Sequence, residues 1–211
     1  DCCLAQRYKE EILKEIAEVD AIIGSSAYDG FVSVVRAGLE EKKSHVSCFR
    51  VIDAPFRDNP PRLLTTGGSY AYLKIAEGCD KCCTYCIIPS LRGHYLSVPM
   101  EELVREAQEL ARDGVRELIL VAQETTLYGV DLYGEKRLPL LLRELAQIPE
   151  IYWIRLQYCY PEEITDELIQ VIREEEKICH YLDIPIQHAS DAVLKRMGRR
   201  TDQKRLREII E

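Results

Sequence analysis

From Tyr72 onward the chain alternates short apolar runs with segments of helical period, and it does so four times. "YLKIAE" (72–77), "ELILVAQ" (117–123), "IYWIRLQY" (151–158) and "YLDIPIQ" (181–187) read as strands. Between the first two, Pro99 opens a helix that puts Met100, Leu103, Val104, Ala107, Leu110 and Ala111 on one face, and Gly114 stops it. "PLLLRELAQI" and "TDELIQVIREEE" are the next helices, and more follow from Ser190. Strands alternating with helices imply a parallel sheet, and a nearly continuous apolar strand suits one covered on both faces. Doubly wound and barrel forms both satisfy this pattern, and in either one ligands gather where the strands end. The unusual polar residues sit there: Cys79, Cys83 and Cys86 after the first strand, Gln123 and Glu124 after the second, Tyr158 and Cys159 after the third, Gln187 and His188 after the fourth.

Residues 1–43 read as a smaller α/β segment, with helices at "LAQRYKEEILKEIAEV" and "GFVSVVRAGLEEKK" around the strand "DAIIGSS". Residues 44–71, with Pro55, Pro60, Pro61, Gly67 and Gly68 and no sustained period, read as a connection between domains. The domain organisation expected is therefore 1–43, a linker at 44–71, and a main domain at 72–211. There is no initiator Met, and the chain stops inside a helical pattern, so a fragment is expected.

The net charge of −8 argues mildly against a phosphate-tracking surface. No apolar run approaches the roughly 20 residues needed to cross a bilayer. Nine cysteines in 211 residues is a high and odd count. In a helix-rich chain this points to a reducing, cytosolic setting and metal-binding thiolates rather than to a disulfide scaffold.

Four of these cysteines lie in "GCDKCCTYC" (78–86). Zinc sites made from two C-x2-C pairs bring the pairs together from separate turns, about a dozen or more residues apart. Here the pairs abut, and adjacent side chains on extended backbone point apart, which disfavours a closed four-thiolate zinc site. Three ligands are easier, in either of two registers: C-x2-C-x3-C through Cys82, or C-x3-C-x2-C through Cys83. Three thiolates on a cubane leave one iron open, whereas electron-carrier clusters are held by four.

C-x3-C-x2-C with Tyr85 before the last cysteine, at the end of the first strand of a βα series, resembles the radical S-adenosylmethionine enzymes. "AYLKIAEGCDKCCTYCIIPSLRG", "RELILVAQETTLYGVDLYGE", "WIRLQYCYPEEITDELI" and "YLDIPIQHASDAVLKRMGRRT" further resemble the RimO type of methylthiotransferase. The resemblance runs from about residue 3 to the end and implies a partial parallel (βα) barrel preceded by a truncated small α/β domain. It implies that Cys79, Cys83 and Cys86 hold a [4Fe–4S] cluster whose open iron takes S-adenosylmethionine, with Cys82 a bystander. A second cluster would use Cys3 of "CCLAQRY", with Cys2 the alternative, and two further thiolates that would precede residue 1. The family's reaction replaces a hydrogen on the β-carbon of an aspartate in a small-subunit ribosomal protein with a methylthio group. A carboxylate acidifies that carbon too weakly for base chemistry at neutral pH, so the hydrogen leaves by radical abstraction. An electron donor such as flavodoxin or ferredoxin is implied, as is a cytoplasmic location.

By the same resemblance Gln123 and Glu124 contact the methionyl part of the cofactor, a strand-end cap being the alternative; Arg155, which shares a strand face with Trp153 by the two-residue period, is assigned to the cofactor-binding set. Arg155 also suits a core ion pair, and His188 a satisfied hydrogen-bonding residue. Cys48, Cys159 and Cys179 read as small buried hydrophobes. One departure stands out: Leu96 and Val98 occupy positions where the family has arginines. The rival readings are the sister family that modifies a tRNA adenosine, an iron–sulfur electron carrier, and a zinc-binding module.

Overall fold

The computed structural model of the chain describes residues 3–40, 46–52, 64–65 and 68–211. Cys2 and most of the expected linker lie outside them. The described residues form two compact units: those within 1–55 together with Ile87–His94, and those within 56–86 together with Tyr95–Glu211.

The first unit contains α1 (Cys3–Glu15), β1 (Ala21–Ile23), α2 (Phe31–Glu40) and β2 (Val46–Cys48). β1 and β2 pair in parallel, Ala21 opposite Val46, so residues 46–48, expected in the linker, form a strand instead. Ile23, Ala27 and Val34 make a small core. A later helix, α3 (Ile88–Arg92), belongs to this unit: the Ser25 hydroxyl donates to the Leu91 carbonyl at 2.6 Å, and Arg92 donates to the Tyr28 hydroxyl at 3.0 Å.

The second unit begins with β3 (Tyr70–Lys74) and β4 (Ala76–Glu77), and β5 (Leu96–Ser97) and α4 (Met100–Arg112) follow the cysteine loop. Then come β6 (Glu117–Val121), α5 (Val130–Tyr133), α6 (Leu138–Ala146), β7 (Trp153–Leu156), α7 (Asp166–Glu174), β8 (Ile178–Leu182), α8 (Asp191–Arg196) and α9 (Gln203–Ile210). The main sheet has the order β3-β6-β7-β8, sequential and parallel throughout. This is the expected partial barrel. A two-residue antiparallel pair, β4 with β5, is additional to it.

Alternation along each strand explains the packing. Ala71 and Leu73, Leu118 and Leu120, and Ile154 and Leu156 join one core with Leu103, Ala107 and Leu110 of α4, Leu141, Leu142 and Leu145 of α6, and Leu168 and Val171 of α7. The expected face of α4 is the buried one, with Val104 packed at its margin. Gly114 ends the following turn at φ +100°, where a side chain would be strained. The other face of the sheet leaves Tyr70, Tyr72, Trp153 and Tyr181 exposed.

The fourth strand departs from the sequence reading. It runs over "ICHYL" and ends at Leu182, whereas residues 183–187 are not strand. The apolar alternation of Leu182, Ile184 and Ile186 imitates a strand, but Pro185 cannot donate to a ladder, and Gln187 stands at φ +65°. Gln187 and His188 therefore lie well beyond the strand end. Val98 is a core residue, 2% exposed, with no room for a solvated guanidinium, while Leu96 is half-buried in β5.

Leu120, fully buried in an interior strand, tests this packing. Leu120→Ala is expected to destabilise the chain by about 2–5 kcal/mol. The check is the shift of the urea midpoint followed by circular dichroism.

Candidate functional site

The cysteine loop leaves the sheet after β4 and is held by residues far along the chain. The backbone N–H of Thr84 donates to the Met197 carbonyl at 3.1 Å, and its hydroxyl donates to the Arg196 carbonyl at 3.0 Å. Gly198 follows α8 at φ +73°, and a Cβ there would come within 2.9 Å of the Cys82 carbonyl oxygen. Only glycine allows this close approach of the turn to the loop.

Within the loop the four cysteines differ. Cys79 is buried, Cys83 and Cys86 are half-buried, and Cys82 is exposed, its sulfur 3.8 Å from the Asp80 carbonyl. Burial pushes the Cys79 thiol up, and the nearby Glu124, Cys86 and Cys83 push it further. Cys83 lies 2.8 Å from the Tyr160 hydroxyl. Burial, and then the bond to Cys83, push the Tyr160 phenol well up, so it keeps its proton at neutral pH. Among the described residues, no three His, Cys, Asp or Glu side chains are placed to share one metal ion. A cubane makes a different demand, since each thiolate binds its own iron.

The loop after β6 contributes the second group. Gln123 donates to Glu77 at 3.1 Å, and its Oε1 is buried without a partner. Glu124 is 0% exposed. One of its oxygens accepts from the Thr126 N–H at 3.0 Å and from the Thr126 hydroxyl, while Oε2 has no partner. Burial raises its carboxyl to about 7, although the bonds from Thr126 and the charge of Lys81 work against the shift. The loop after β7 pairs with this one, the Thr125 N–H donating to the Tyr158 carbonyl at 3.1 Å. Tyr158 stands at φ 62°, and with Gln187 it is one of two non-glycine residues in the left-handed region among the described residues. Such strain concentrates where structure serves a site.

The remaining expected residues have these surroundings. Arg155 sits on the exposed face of the sheet, opposite Ile119, and pairs with Glu117 at 2.7 Å and with the Tyr181 ring at 5.4 Å. His188 accepts from the Ser190 N–H through Nδ1 at 2.9 Å. Cys159 is buried in the core, and Cys48 and Cys179 are half-buried. Cys3 opens α1 in the first unit. Two residues at the loop had no signal in the sequence: Tyr160 and Arg199, which are 4% and 6% exposed. The Arg199 guanidinium stacks 3.8 Å from the centre of the Tyr160 ring.

A parallel βα sheet with a C-x3-C-x2-C loop at its carboxyl edge defines a class. The radical SAM superfamily model matches residues 73–211, and the chain belongs to that superfamily. More particularly, the chain is 61% identical over 208 residues to the ribosomal protein uS12 methylthiotransferase RimO of Lachnoclostridium phytofermentans. It is 51% identical over 208 residues to that of Caldanaerobacter subterraneus. In both comparisons 99% of this chain is covered, and the chain spans about half the length of these curated relatives (47%). Among solved structures, the cobalamin-dependent S-adenosylmethionine radical enzyme OxsB aligns over 100% of this chain and 33% of its own, at 13% identity and a TM-score of 0.64. The radical S-adenosylmethionine methyltransferase TsrM from Kitasatospora setae aligns over 68% of this chain and 28% of its own, at 16% identity and a TM-score of 0.53. These two likenesses concern the fold.

Two predictions test the site's architecture. Gly198→Ala is expected to cost about 1–2 kcal/mol from its left-handed backbone alone, and more if the Cys82 carbonyl must retreat; urea unfolding measures it. Glu124 gives a pH signature. Its folded carboxyl titrates above its unfolded value of 4.5, so folding takes up a proton between 4.5 and about 7. Stability is therefore greatest below that window and falls as pH rises through it, by on the order of 3 kcal/mol. Glu124→Gln in the metal-free chain is expected to flatten this slope, measured by urea unfolding between about pH 5 and 8.

Proposed function

We propose that the chain carries the cluster- and cofactor-binding core of a methylthiotransferase that modifies an aspartate of a small-subunit ribosomal protein. The observation that carries this reading is the selection among the loop cysteines. Cys79 is buried, Cys83 and Cys86 are half-buried and the first feels the other two, while Cys82 is exposed. Three soft thiolates suit three vertices of a [4Fe–4S] cubane and leave one iron for S-adenosylmethionine. The unpartnered oxygens of Gln123 and Glu124 suit a neighbouring polar cofactor, because buried polar atoms without partners are costly unless a ligand completes them. Relatives bearing the uS12 name favour a ribosomal-protein substrate over a tRNA adenosine.

Bound there, cluster and cofactor supply the one-electron chemistry that removes hydrogen from an unactivated carbon. The chain's own residues orient and shield. The Thr84 bonds to the turn after α8 fix the loop, and the Tyr95 hydroxyl donates to the Glu124 carbonyl at 2.8 Å and fixes the second loop. Arg155 holds Glu117 through Nε alone, which leaves its two Nη groups for the cofactor-binding role expected of it. Cys3 would be one ligand of the second cluster. A flavodoxin or ferredoxin would supply electrons, and the setting would be the cytoplasm. No helix among the described residues is long and apolar enough to cross a membrane.

The register is tested by reconstituting variants with iron and sulfide. Cys83→Ala is expected to abolish most of the visible charge-transfer absorption, and Cys82→Ala to leave it nearly intact. The reverse result would assign the C-x2-C-x3-C register. The two half-reactions are also expected to separate. Ahead of Cys48 this chain has only Cys2 and Cys3, too few thiolates for a second cluster. With a strong reductant it is expected to release 5′-deoxyadenosine from S-adenosylmethionine slowly, and to add no methylthio group to a substrate peptide. Nucleoside chromatography beside peptide mass spectrometry measures both, and an adduct formed by this chain alone would overturn the two-cluster reading.

A further inference from the structure

Tyr160 and Arg199 surround Cys83 in a way that packing does not explain. Tyr160 follows the strained Tyr158 and the core residue Cys159, and its hydroxyl ends 2.8 Å from the Cys83 sulfur. A buried phenol usually finds an oxygen; here it finds a thiol. When Cys83 ligates a metal its sulfur has no proton to give, so the Tyr160 O–H is the donor. Arg199 lies over the same ring and donates through Nη2 to the Pro185 carbonyl at 2.7 Å. Its Nε and Nη1 are buried and meet no partner within hydrogen-bond geometry. Cys83 is nevertheless among the groups that act on it, with Tyr160 and Glu162. Leaving donors of a buried guanidinium unpaired is costly, so the arrangement anticipates an acceptor beside Cys83. Lys81 adds a second cation 4.8 Å from the ring, itself bound by Glu163. A cation on the face of a phenol draws electron density from it and strengthens its O–H as a donor. Because Thr84 is tied to Arg196 and Met197, the segment that carries Arg199 is fixed to the loop it serves.

We propose that Tyr160 and Arg199 form a donor pair at the Cys83 vertex of the cluster and hold its reduction potential up. Tyr160 does so through an O–H···S bond to Cys83, and Arg199 through its two unpaired N–H groups. This rests on the proposed ligand set. A one-electron reductant adds one negative charge to the cluster, and no proton moves. Donors and a cation at a ligating sulfur stabilise the more negative state more, which is how hydrogen bonds to sulfur tune such potentials. Both are positioning residues, acting through Cys83.

The test reconstitutes the 211-residue chain anaerobically as wild type, Tyr160→Phe and Arg199→Lys. Iron and sulfide content are measured first. A titration with a low-potential one-electron reductant, followed by electron paramagnetic resonance, comes second. Tyr160→Phe is expected to load iron as the wild type does, and at the wild-type midpoint its reduced-to-oxidised ratio should fall about tenfold, or about 59 mV for a one-electron couple. Arg199→Lys should shift it in the same direction and less, since the charge stays while the fork is lost. An unchanged or higher potential in Tyr160→Phe overturns the inference and leaves the ligand set standing. A wild-type chain that takes up no cluster overturns both. If Tyr160→Phe fails to hold a cluster, the wild type decides: Fe–S(Cys) stretching bands that shift between H2O and D2O support the O–H···S bond, and bands that do not shift overturn it.

Discussion

Everything at the cysteine loop depends on the register of four parallel strands. Leu73, Leu118, Leu120, Ile154 and Leu156 all project to the face covered by α4, α6 and α7. A slip of one residue in any strand would turn its apolar set away from those helices, so burial fixes the register. Since the strands are parallel, fixing it brings their carboxyl ends to one edge. The loop cysteines, Gln123 and Glu124, and Tyr158 to Tyr160 then meet there, although they come from segments separated by tens of residues. The placement of the site follows from the packing of this apolar core.

The same edge is where local rules are broken. Glu124 is buried with one oxygen unpartnered, Gln123 likewise, and Arg199 has two orphan donors. Tyr158 and Gln187 take positive φ without being glycine. Asp131 is a fully paired contrast: it accepts from the Ser97 N–H at 2.8 Å and from its hydroxyl at 2.6 Å, which pins β5 to α5. Unpaired polarity and a strained backbone are a stability cost that the packed sheet offsets, and a polar group bound beside Gln123 and Glu124 would relieve part of it.

Much of this was legible in the sequence because it depends on period. The helical face of α4 and the strands β6 and β7 follow directly from spacing, and so does the parallel class of the sheet. The β8 boundary was misread because an apolar alternation continues past the strand into a segment that Pro185 and Gln187 exclude from the ladder. The β4–β5 pair and α5 are too short to carry a period. Cysteine spacing left two registers open, and the exposure of Cys82 favours one of them. Tyr160 and Arg199 had no signal at all, because their contacts depend on a ring, a guanidinium and a thiol meeting across the loops after β4, β7 and α8. Val98 shows the opposite case: a residue that reads as a lost arginine is one the core requires here.

The supports of the three thiols have a further consequence. Thr84 binds Arg196 and Met197, Gly198 makes room for the Cys82 carbonyl, Tyr160 meets Cys83, and Glu124 lies near Cys79. All of these lie between β3 and the turn after α8. The supports of the loop thiols are therefore contained within a single packed unit. Cys3 belongs to the other unit, which has its own small core of Ile23, Ala27 and Val34.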